Sequence, residues 1–334
     1  MNRAASRLAL PAVGLRRLVE SRPLSYRSTQ GARRPCAART GEIAMGHVLV
    51  VGSVNVDRIW RLAAPLQAGE RLTRSDVALR FGGGGFNTGA ALLALGHRVT
   101  LVATLSTDAA GRACRDRLET MGFDLRHLRD TDAPTVPLDI LVDAAGERTI
   151  IAPAASEARR LTALPALDVD MAYVNIRRTA PGLLDALAAR TKVVAQVPLE
   201  HTERRPAHIL IASASDHALF AGADAFRHAR EIGGEGLAAL VLTQGSGPVQ
   251  LLQAQGRSSV AVPPLATPDH TTPPDTTGAG DAFAAGFIDG WMAGEPPQAA
   301  VRRGSEIAGR MLAGAAGFLR PAPLPLATAL VATG

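Results

Sequence analysis

The sequence predicts an α/β protein whose doubly wound, mostly parallel sheet is flanked by helices. Short runs of branched apolar residues alternate with longer segments rich in alanine and leucine, which is the β–α rhythm of a parallel sheet. Several of these runs are continuously apolar, as expected for strands that are buried on both faces. The 334 residues are 47% hydrophobic and 20% charged, which is typical of a globular protein.

The predicted elements follow one another from about residue 45 onward. Two stretches, near 58–80 and 133–152, interrupt the alternation with short strands and turns, and we interpret them as a small β-layer that projects from the main sheet. We predict strands at 47–54, 99–103, 138–142, 171–176, 193–197, 208–212, 239–243 and 258–262, and helices at 87–95, 111–121, 180–190 and 281–293.

Residues 1–44 differ in composition from the rest of the chain. They hold nine arginines against two glutamates, and this local charge of +7 accounts for the net charge of +6 of the whole chain. The remainder is therefore near neutral, which argues against a nucleic-acid-binding face. The segment is either an organelle transit peptide or the product of an upstream start, with Met45 as the first residue. We favour the second interpretation.

We therefore expect a folded domain at 45–320 and a Pro-rich tail at 321–334. The expected location is the cytoplasm, or an organelle matrix if residues 1–44 are a transit peptide. No apolar run is long enough for a membrane helix.

The single lysine, Lys192, excludes several classes of active site. It stands in no Gly-Lys-Ser/Thr step, so the chain has no P-loop, and its setting at the start of an apolar strand does not suit a cofactor-binding lysine. Phosphate groups would have to be held by backbone amides, arginine and metal. The two cysteines, Cys36 and Cys114, provide no disulfide framework.

A glycine run precedes the first predicted helix in the segment FGGGGFNTGAALLALG, residues 81–96. Glycines at such a junction let the backbone approach a ligand closely, with amides directed at it. Gly83, Gly84, Gly85 and Asn87 are the candidate binding residues. The alternative is a hinge or a tight turn, and no dinucleotide-binding pattern aligns with these glycines.

A second segment, DTTGAGDAFAAGF, places small residues before a predicted helix. The amides of Gly278, Ala279 and Gly280 would suit an anion at the helix N-terminus. Asp281 follows in the first turn. A lone Asp there would simply cap the helix, but phosphoryl transfer needs both an anion pocket and a proton acceptor.

The third segment, GSVNVD, ends the first predicted strand. Asn55 and Asp57 are two residues apart and should point the same way from an extended chain, at the strand end where open α/β sheets bind ligands. An Asx-turn pair is an equally good interpretation.

Together these segments resemble the pfkB, or ribokinase-like, family of carbohydrate kinases. The resemblance covers roughly residues 47–320. Asp108 and Gly111, which precede a predicted helix, are a further feature that matches the family pattern. It implies a ribokinase-like fold in which the stretches near 58–80 and 133–152 form a β lid. It further implies ATP-dependent phosphorylation of a hydroxyl on a sugar or sugar-derived molecule, with Mg²⁺ bridging the phosphates.

The resemblance also implies a role for each candidate residue. Asp281 would be the general base, kept ionised by the helix-start amides. Gly278, Ala279 and Gly280 would form the anion hole, and substrate hydroxyls would be bound by Asn55, Asp57, Gly83, Gly84, Gly85 and Asn87. The nucleotide would contact Thr243, Gly245, Ser213 and Asp216. Asp216 would also contact the metal indirectly, and Asp275 would bind a monovalent cation such as K⁺.

The sequence departs from the family pattern where the N-x-x-E stretch reads Ser213-x-x-Asp216. This departure motivates one alternative, an inactive member that acts as a binding protein. Another is a nucleoside kinase, in which Trp60 could stack on a base. The expected partners are ATP and a small substrate, without nucleic acid or membrane; a homodimer through the lid and the identity of the acceptor stay open.

Overall fold

The computed structural model describes residues 45–144, 146–154, 160–198, 203–264 and 276–314. The predicted segments 1–44 and 321–334, and the cation candidate Asp275, lie outside these residues. In chain order the described strands are β1 (His47–Gly52), β2 (Asn55–Leu62), β3 (Arg74–Gly82), β4 (Arg98–Val102), β5 (Thr104–Ser106), β6 (Arg129–Thr131), β7 (Leu138–Val142), β8 (Arg148–Ile151), β9 (Arg160–Leu161), β10 (Met171–Asn175), β11 (Arg178–Thr179), β12 (Lys192–Gln196), β13 (Ile209–Ser213), β14 (Ala239–Gln244), β15 (Gly247–Gln253) and β16 (Gly256–Val260).

The described α-helices lie mostly between the strands of the main sheet. They are α1 (Gly84–Ala94), α2 (Ala109–Thr120), α3 (Leu183–Ala188), α4 (Ala225–Gly233), α5 (Ala279–Met292) and α6 (Pro297–Leu312). None of the helices in the described ranges is long and apolar enough to cross a membrane.

The main sheet has the strand order β16-β15-β14-β13-β12-β10-β1-β4. Its strands are parallel except for β15 and β16, which add an antiparallel edge. The chain runs from β1 outward to β4 and then returns to β10 on the other side of β1, so the order reverses between β1 and β10. Open α/β sheets bind ligands beyond the carboxyl ends of their strands at such a reversal. The predicted fold class is confirmed.

Apolar side chains fill both faces of this sheet. In β1, Val48 and Val50 belong to one buried cluster, and Leu49 and Val51 belong to another. All four are fully buried. The continuously apolar strands of the sequence therefore reflect helices packed on both sides.

The projecting β-layer is a separate four-stranded sheet with the order β3-β2-β7-β8. It uses residues slightly beyond the predicted stretches, because β2 begins at Asn55 and β3 ends at Gly82. Its small core consists of Ile59, Ile140 and Val142.

Some elements differ from the prediction. The helix expected at 87–95 begins at Gly84, so two glycines of the run lie inside its first turn. The prediction lacks β15, the short strands β5, β6, β9 and β11, and the helices α4 and α6. Of the two helices, α4 is short and rich in charged residues, and α6 begins at a proline pair that also fits a loop.

Candidate active site

Asp281 lies in the first turn of α5. This helix begins directly after Gly278, whose left-handed backbone (φ 84°) ends the preceding loop. The Asn87 side-chain amide donates a hydrogen bond to Asp281 Oδ2 at 3.0 Å, and the Thr88 hydroxyl donates to Asp281 Oδ1 at 3.3 Å. Two motifs that are 194 positions apart in the sequence therefore meet at the starts of α1 and α5.

The environment of Asp281 raises the pKa of its carboxyl group. Burial is the main cause, and the hydrogen bonds from Asn87 and Thr88 and the charge of Arg148 act in the opposite direction. We expected helix-start amides to keep the carboxylate ionised, but its partners are side chains of α1, and the pKa moves upward. Part of the residue remains open to solvent, so a ligand can reach it.

Asp57 lies close enough to Asp281 to be affected by its charge, and it is only 6% exposed. Burial raises the pKa of its carboxyl to about 7, the nearby charge of Asp281 adds to the shift, and Arg80 opposes it. Asp57, Arg80, Asn87 and Gly278 line a cavity of about 30 Å³. The site thus holds two carboxyl groups whose charges repel each other, which is a pattern common at functional sites.

The glycine segment packs against the end of β1. The Gly85 amide donates to Ser53 O at 2.9 Å, and a Cβ at Gly85 would lie only 2.8 Å from the carbonyl carbon of Gly52. A Cβ at Gly84 would overlap the Asn175 side chain. Gly83 has a φ of 94°. The glycines therefore allow α1 to approach the point where the sheet order reverses, and their contact with substrate remains a prediction.

Asn55 and Asp57 line different cavities. Asp57 lines the cavity beside Gly278, whereas Asn55 lines a second cavity of about 130 Å³ beside α2. The prediction that both contact one substrate therefore requires a ligand that spans two adjacent spaces.

The predicted nucleotide residues lie at the carboxyl ends of β13 and β14. Ser213 and Thr243 are paired across these strands, and the Thr243 hydroxyl donates to Ala212 O at 3.2 Å. Gly245 (φ 59°) lies in the short turn between β14 and β15, and this turn alone accounts for its conformation. These residues lie at the same end of the main sheet as Asp281, namely beyond the carboxyl ends of the parallel strands. The strands β10 and β12 separate them from β1.

Asp216 is exposed and accepts a hydrogen bond from the Ser215 hydroxyl at 3.2 Å. Within the described ranges, no group of three or more His, Cys, Asp or Glu residues could hold a metal ion. Mg²⁺ in kinases is held by one or two carboxylates together with the substrate phosphates, so a single carboxylate such as Asp216 fits an ion that arrives with the nucleotide.

Two buried residues of the site are not among the sequence predictions. Thr88 and Tyr173 are fully buried, and Tyr173 lies near enough to Asp281 for that charge to raise the pKa of its phenol, after the larger effect of burial. Thr88 immediately follows Asn87, so its polar side chain at the start of an apolar helix was a usable signal. Tyr173 lies within an apolar strand and gave none.

The family model described as "pfkB family carbohydrate kinase" matches residues 45–313. The chain belongs to this family. A ribokinase from Haemophilus influenzae is 28% identical over 79 residues, which are 24% of this chain and 26% of that relative. The chain thus spans about a quarter of the length of that curated relative.

Solved structures of ribokinases and of a nucleoside kinase match this pfkB family protein over most of its chain. Arabidopsis thaliana ribokinase, complexed with ribose and ATP, has a TM-score of 0.63 and 18% identity, covering 87% of this chain and 99% of that one. A Burkholderia thailandensis nucleoside kinase in complex with inosine has a TM-score of 0.62 and 18% identity, covering 80% and 90%. A Cryptococcus neoformans ribokinase with ADP has a TM-score of 0.62 and 20% identity, covering 82% and 97%. These similarities show the fold.

Replacing Asp57 with asparagine should increase the free energy of unfolding at pH 8. The pKa of Asp57 is about 7 in the folded protein and 3.8 in the unfolded chain. Between these two pH values the folded protein therefore keeps a proton that the unfolded chain has released. The wild type therefore loses stability as pH rises between these values. By pH 8 this loss in the free energy of unfolding is up to about 4 kcal/mol.

Urea unfolding of wild type and Asp57→Asn at pH 4, 6 and 8 measures this difference. It should be small at pH 4 and grow toward pH 8. Asp76→Asn, an exposed carboxylate of the same sheet, is the control and should show no such trend. A difference that does not change with pH would contradict the raised pKa.

Proposed function

We propose that this protein transfers the γ-phosphate of ATP to a hydroxyl group of a sugar or of a sugar-derived molecule. The observation that carries the proposal is the position of Asp281, which is hydrogen-bonded to Asn87 and Thr88 and lies beside the Asp57 cavity at the reversal of the sheet order. Family membership supports the same reaction class.

Asp281 would accept the proton of the acceptor hydroxyl. Its raised pKa brings it closer to the working pH, which favours proton transfer, and such a base contributes roughly 10²–10⁴-fold to the rate. Asn87 and Thr88 hold the carboxylate through one oxygen each, so they orient it. Asp57 and Asn87 would bind other hydroxyls of the acceptor.

The start of α5 would receive the negative charge of the phosphoryl group. The Ala279 amide already donates to Thr276 O at 3.1 Å. Of the three predicted anion-hole residues, Gly278 and Gly280 are therefore better placed to donate to an anion, together with the positive end of the helix dipole.

The second sheet would add a positive charge. Arg148 pairs with Val142 across β8 and β7, and the strand register places it on the same face as Ile59 and Asp57. Its charge already acts on Asp281. Closure of this sheet over the acceptor would bring Arg148 toward the transferred group and exclude water.

The nucleotide would lie along the ends of β13 and β14, against Thr243 and Gly245. Ser213, Ser215 and Asp216 form a hydrogen-bonded series at this edge, with 2.7 Å between the two serine hydroxyls. Mg²⁺ would neutralise the phosphate charges when bound with ATP, and Asp216 would help to hold it. The proposal that Asp275 binds K⁺ stands on the resemblance alone.

The acceptor class is tested by measuring ADP release with ATP and Mg²⁺ across sugars, sugar acids, polyols and nucleosides. We expect turnover with one class of acceptor, little release without acceptor, and loss of turnover when EDTA removes the metal. If ATP binds but no acceptor stimulates ADP release, the proposal is wrong, and the chain is a nucleotide-binding protein without this activity.

Trp60 does not support the nucleoside alternative. Two guanidinium groups, those of Arg58 and Arg74, lie 5.2 and 4.8 Å from its ring centroid, and its indole N–H donates to Asp139. We therefore assign Trp60 to the packing of the second sheet rather than to base stacking.

A further inference from the structure

The second cavity, beside α2, differs in chemistry from the cavity beside Asp281. It has a volume of about 130 Å³, and none of the described residues that line it carries a charge. Its walls are mostly apolar and are interrupted by the polar side chains of Asn55, Thr104, Ser106 and Thr135. Apolar walls with a few polar groups are typical of small-molecule sites.

Hydrogen bonds to Asp108 hold two walls of this cavity, the start of α2 and the segment around Thr135, together. Asp108 at the start of α2 accepts hydrogen bonds from the Thr135 amide at 2.6 Å, the Thr135 hydroxyl at 2.9 Å and the Gly111 amide at 2.7 Å. Burial acts to raise the pKa of Asp108, but these bonds outweigh it, and the pKa is lowered. The charge of Asp108 therefore offsets the positive end of α2, and the cavity has no preference for an anion.

Two polar groups of this cavity have no partner within the described part of the protein. The side chains of Asn55 and Thr104 form no hydrogen bond in these ranges, although both residues line the cavity. They can donate to and accept from the edge of a polar ring.

The two cavities lie along one strand. Asn55 lines the second cavity and Asp57 the first, and side chains two residues apart in a strand point to the same side, about 7 Å from each other. The second cavity extends beyond Asn55 to Cys114 and Val136, which also line it. A sugar that carries a neutral, flat substituent would fill it.

We propose that the acceptor is a nucleoside, whose ribose lies against Asp57 and Asp281 and whose uncharged base occupies the cavity beside α2. The base has apolar faces for the aliphatic wall and polar edges for Asn55 and Thr104. The absence of charged lining residues in the described part of this cavity disfavours a sugar acid with its carboxylate there. The inference rests on the proposed kinase function.

Filling the cavity tests the inference. Val136 is 51% exposed and lines the cavity, so Val136→Phe can add volume without burying a new side chain in the core. Ile151→Phe, at a site 54% exposed that does not line the cavity, is the matched control. Cys114→Met adds volume from α2, which forms another wall of the cavity. Thermal unfolding checks that each variant is folded.

Two measurements are made on each variant: ADP release with adenosine, inosine, cytidine, uridine or ribose, and calorimetric binding of the same five compounds. We expect at least one nucleoside to be preferred over ribose in kcat/KM. Val136→Phe and Cys114→Met should lower kcat/KM for that nucleoside by about tenfold or more. They should change turnover of ribose by less than about twofold. Ile151→Phe should change neither.

The outcomes separate the inference from the kinase function. Phosphorylation of ribose or another free sugar, without binding or turnover of any nucleoside, overturns the inference and leaves the kinase intact. Nucleoside binding that is lost in Val136→Phe, without ADP release, supports the cavity assignment and refutes the kinase. Equal losses for ribose and nucleosides in the cavity variants also overturn the inference.

Discussion

Replacement of Asp281 by asparagine is expected to lower kcat by roughly 10²–10⁴-fold, because the amide cannot accept the hydroxyl proton. The shape of the side chain is retained, and the carboxyl lies at the start of α5 rather than in the apolar core. Binding of ATP should therefore change little. The measurement is steady-state ADP release with the best acceptor, together with calorimetric titration of ATP.

Asp185→Asn is a suitable control for this variant. Asp185 also lies in the first turn of a helix, α3, but it is exposed. It should retain wild-type kcat. If Asp281→Asn keeps more than about a tenth of the wild-type kcat, Asp281 is not the general base, because a loss that small falls below the contribution of such a group.

Replacement of Gly85 by alanine is expected to reduce both stability and activity. The new Cβ would lie 2.8 Å from Gly52 C and 2.9 Å from Ser53 O, which are backbone atoms that cannot rotate away. Overpacking of this kind costs about 1–3 kcal/mol. The start of α1 must shift, and it carries Asn87, whose side chain holds Asp281. A misplacement of about 1 Å can cost about 10²-fold in rate.

Gly236→Ala is the matched control, because a Cβ at Gly236 would meet no atom within 4 Å and its backbone does not require glycine. It should be neutral or slightly stabilising, by up to about 1 kcal/mol. Urea unfolding and kcat are measured for both variants. A Gly85→Ala protein with wild-type stability and kcat would show that the close contact between α1 and β1 is not required.

Much of the fold could be predicted from local sequence patterns. Buried strands such as β1 and β10 are continuously apolar, so their existence and their place in a parallel sheet follow from composition. The α6 helix could not be predicted so readily, because its proline start and mixed polar sequence resemble a loop until its packing against α5 is known.

The site was predictable in part for a similar reason. Asn87 and Asp281 belong to distinct local motifs, and their hydrogen bond depends on how α1 and α5 pack. No local pattern indicates that Arg148, on a strand of the second sheet, acts on Asp281, because that proximity arises from strand register. Likewise, the separation of Asn55 and Asp57 into two cavities depends on where α2 and its cap lie.

The central claim is phosphoryl transfer to an acceptor hydroxyl with Asp281 as base, and product analysis tests it most directly. Wild type and Asp281→Asn are incubated with ATP, Mg²⁺ and the best acceptor, and the products are identified by mass spectrometry. The account predicts a phosphomonoester of the acceptor in the same amount as the ADP released by wild type, and almost none from the variant. Inorganic phosphate in place of the ester, with the acceptor recovered unchanged, would contradict it.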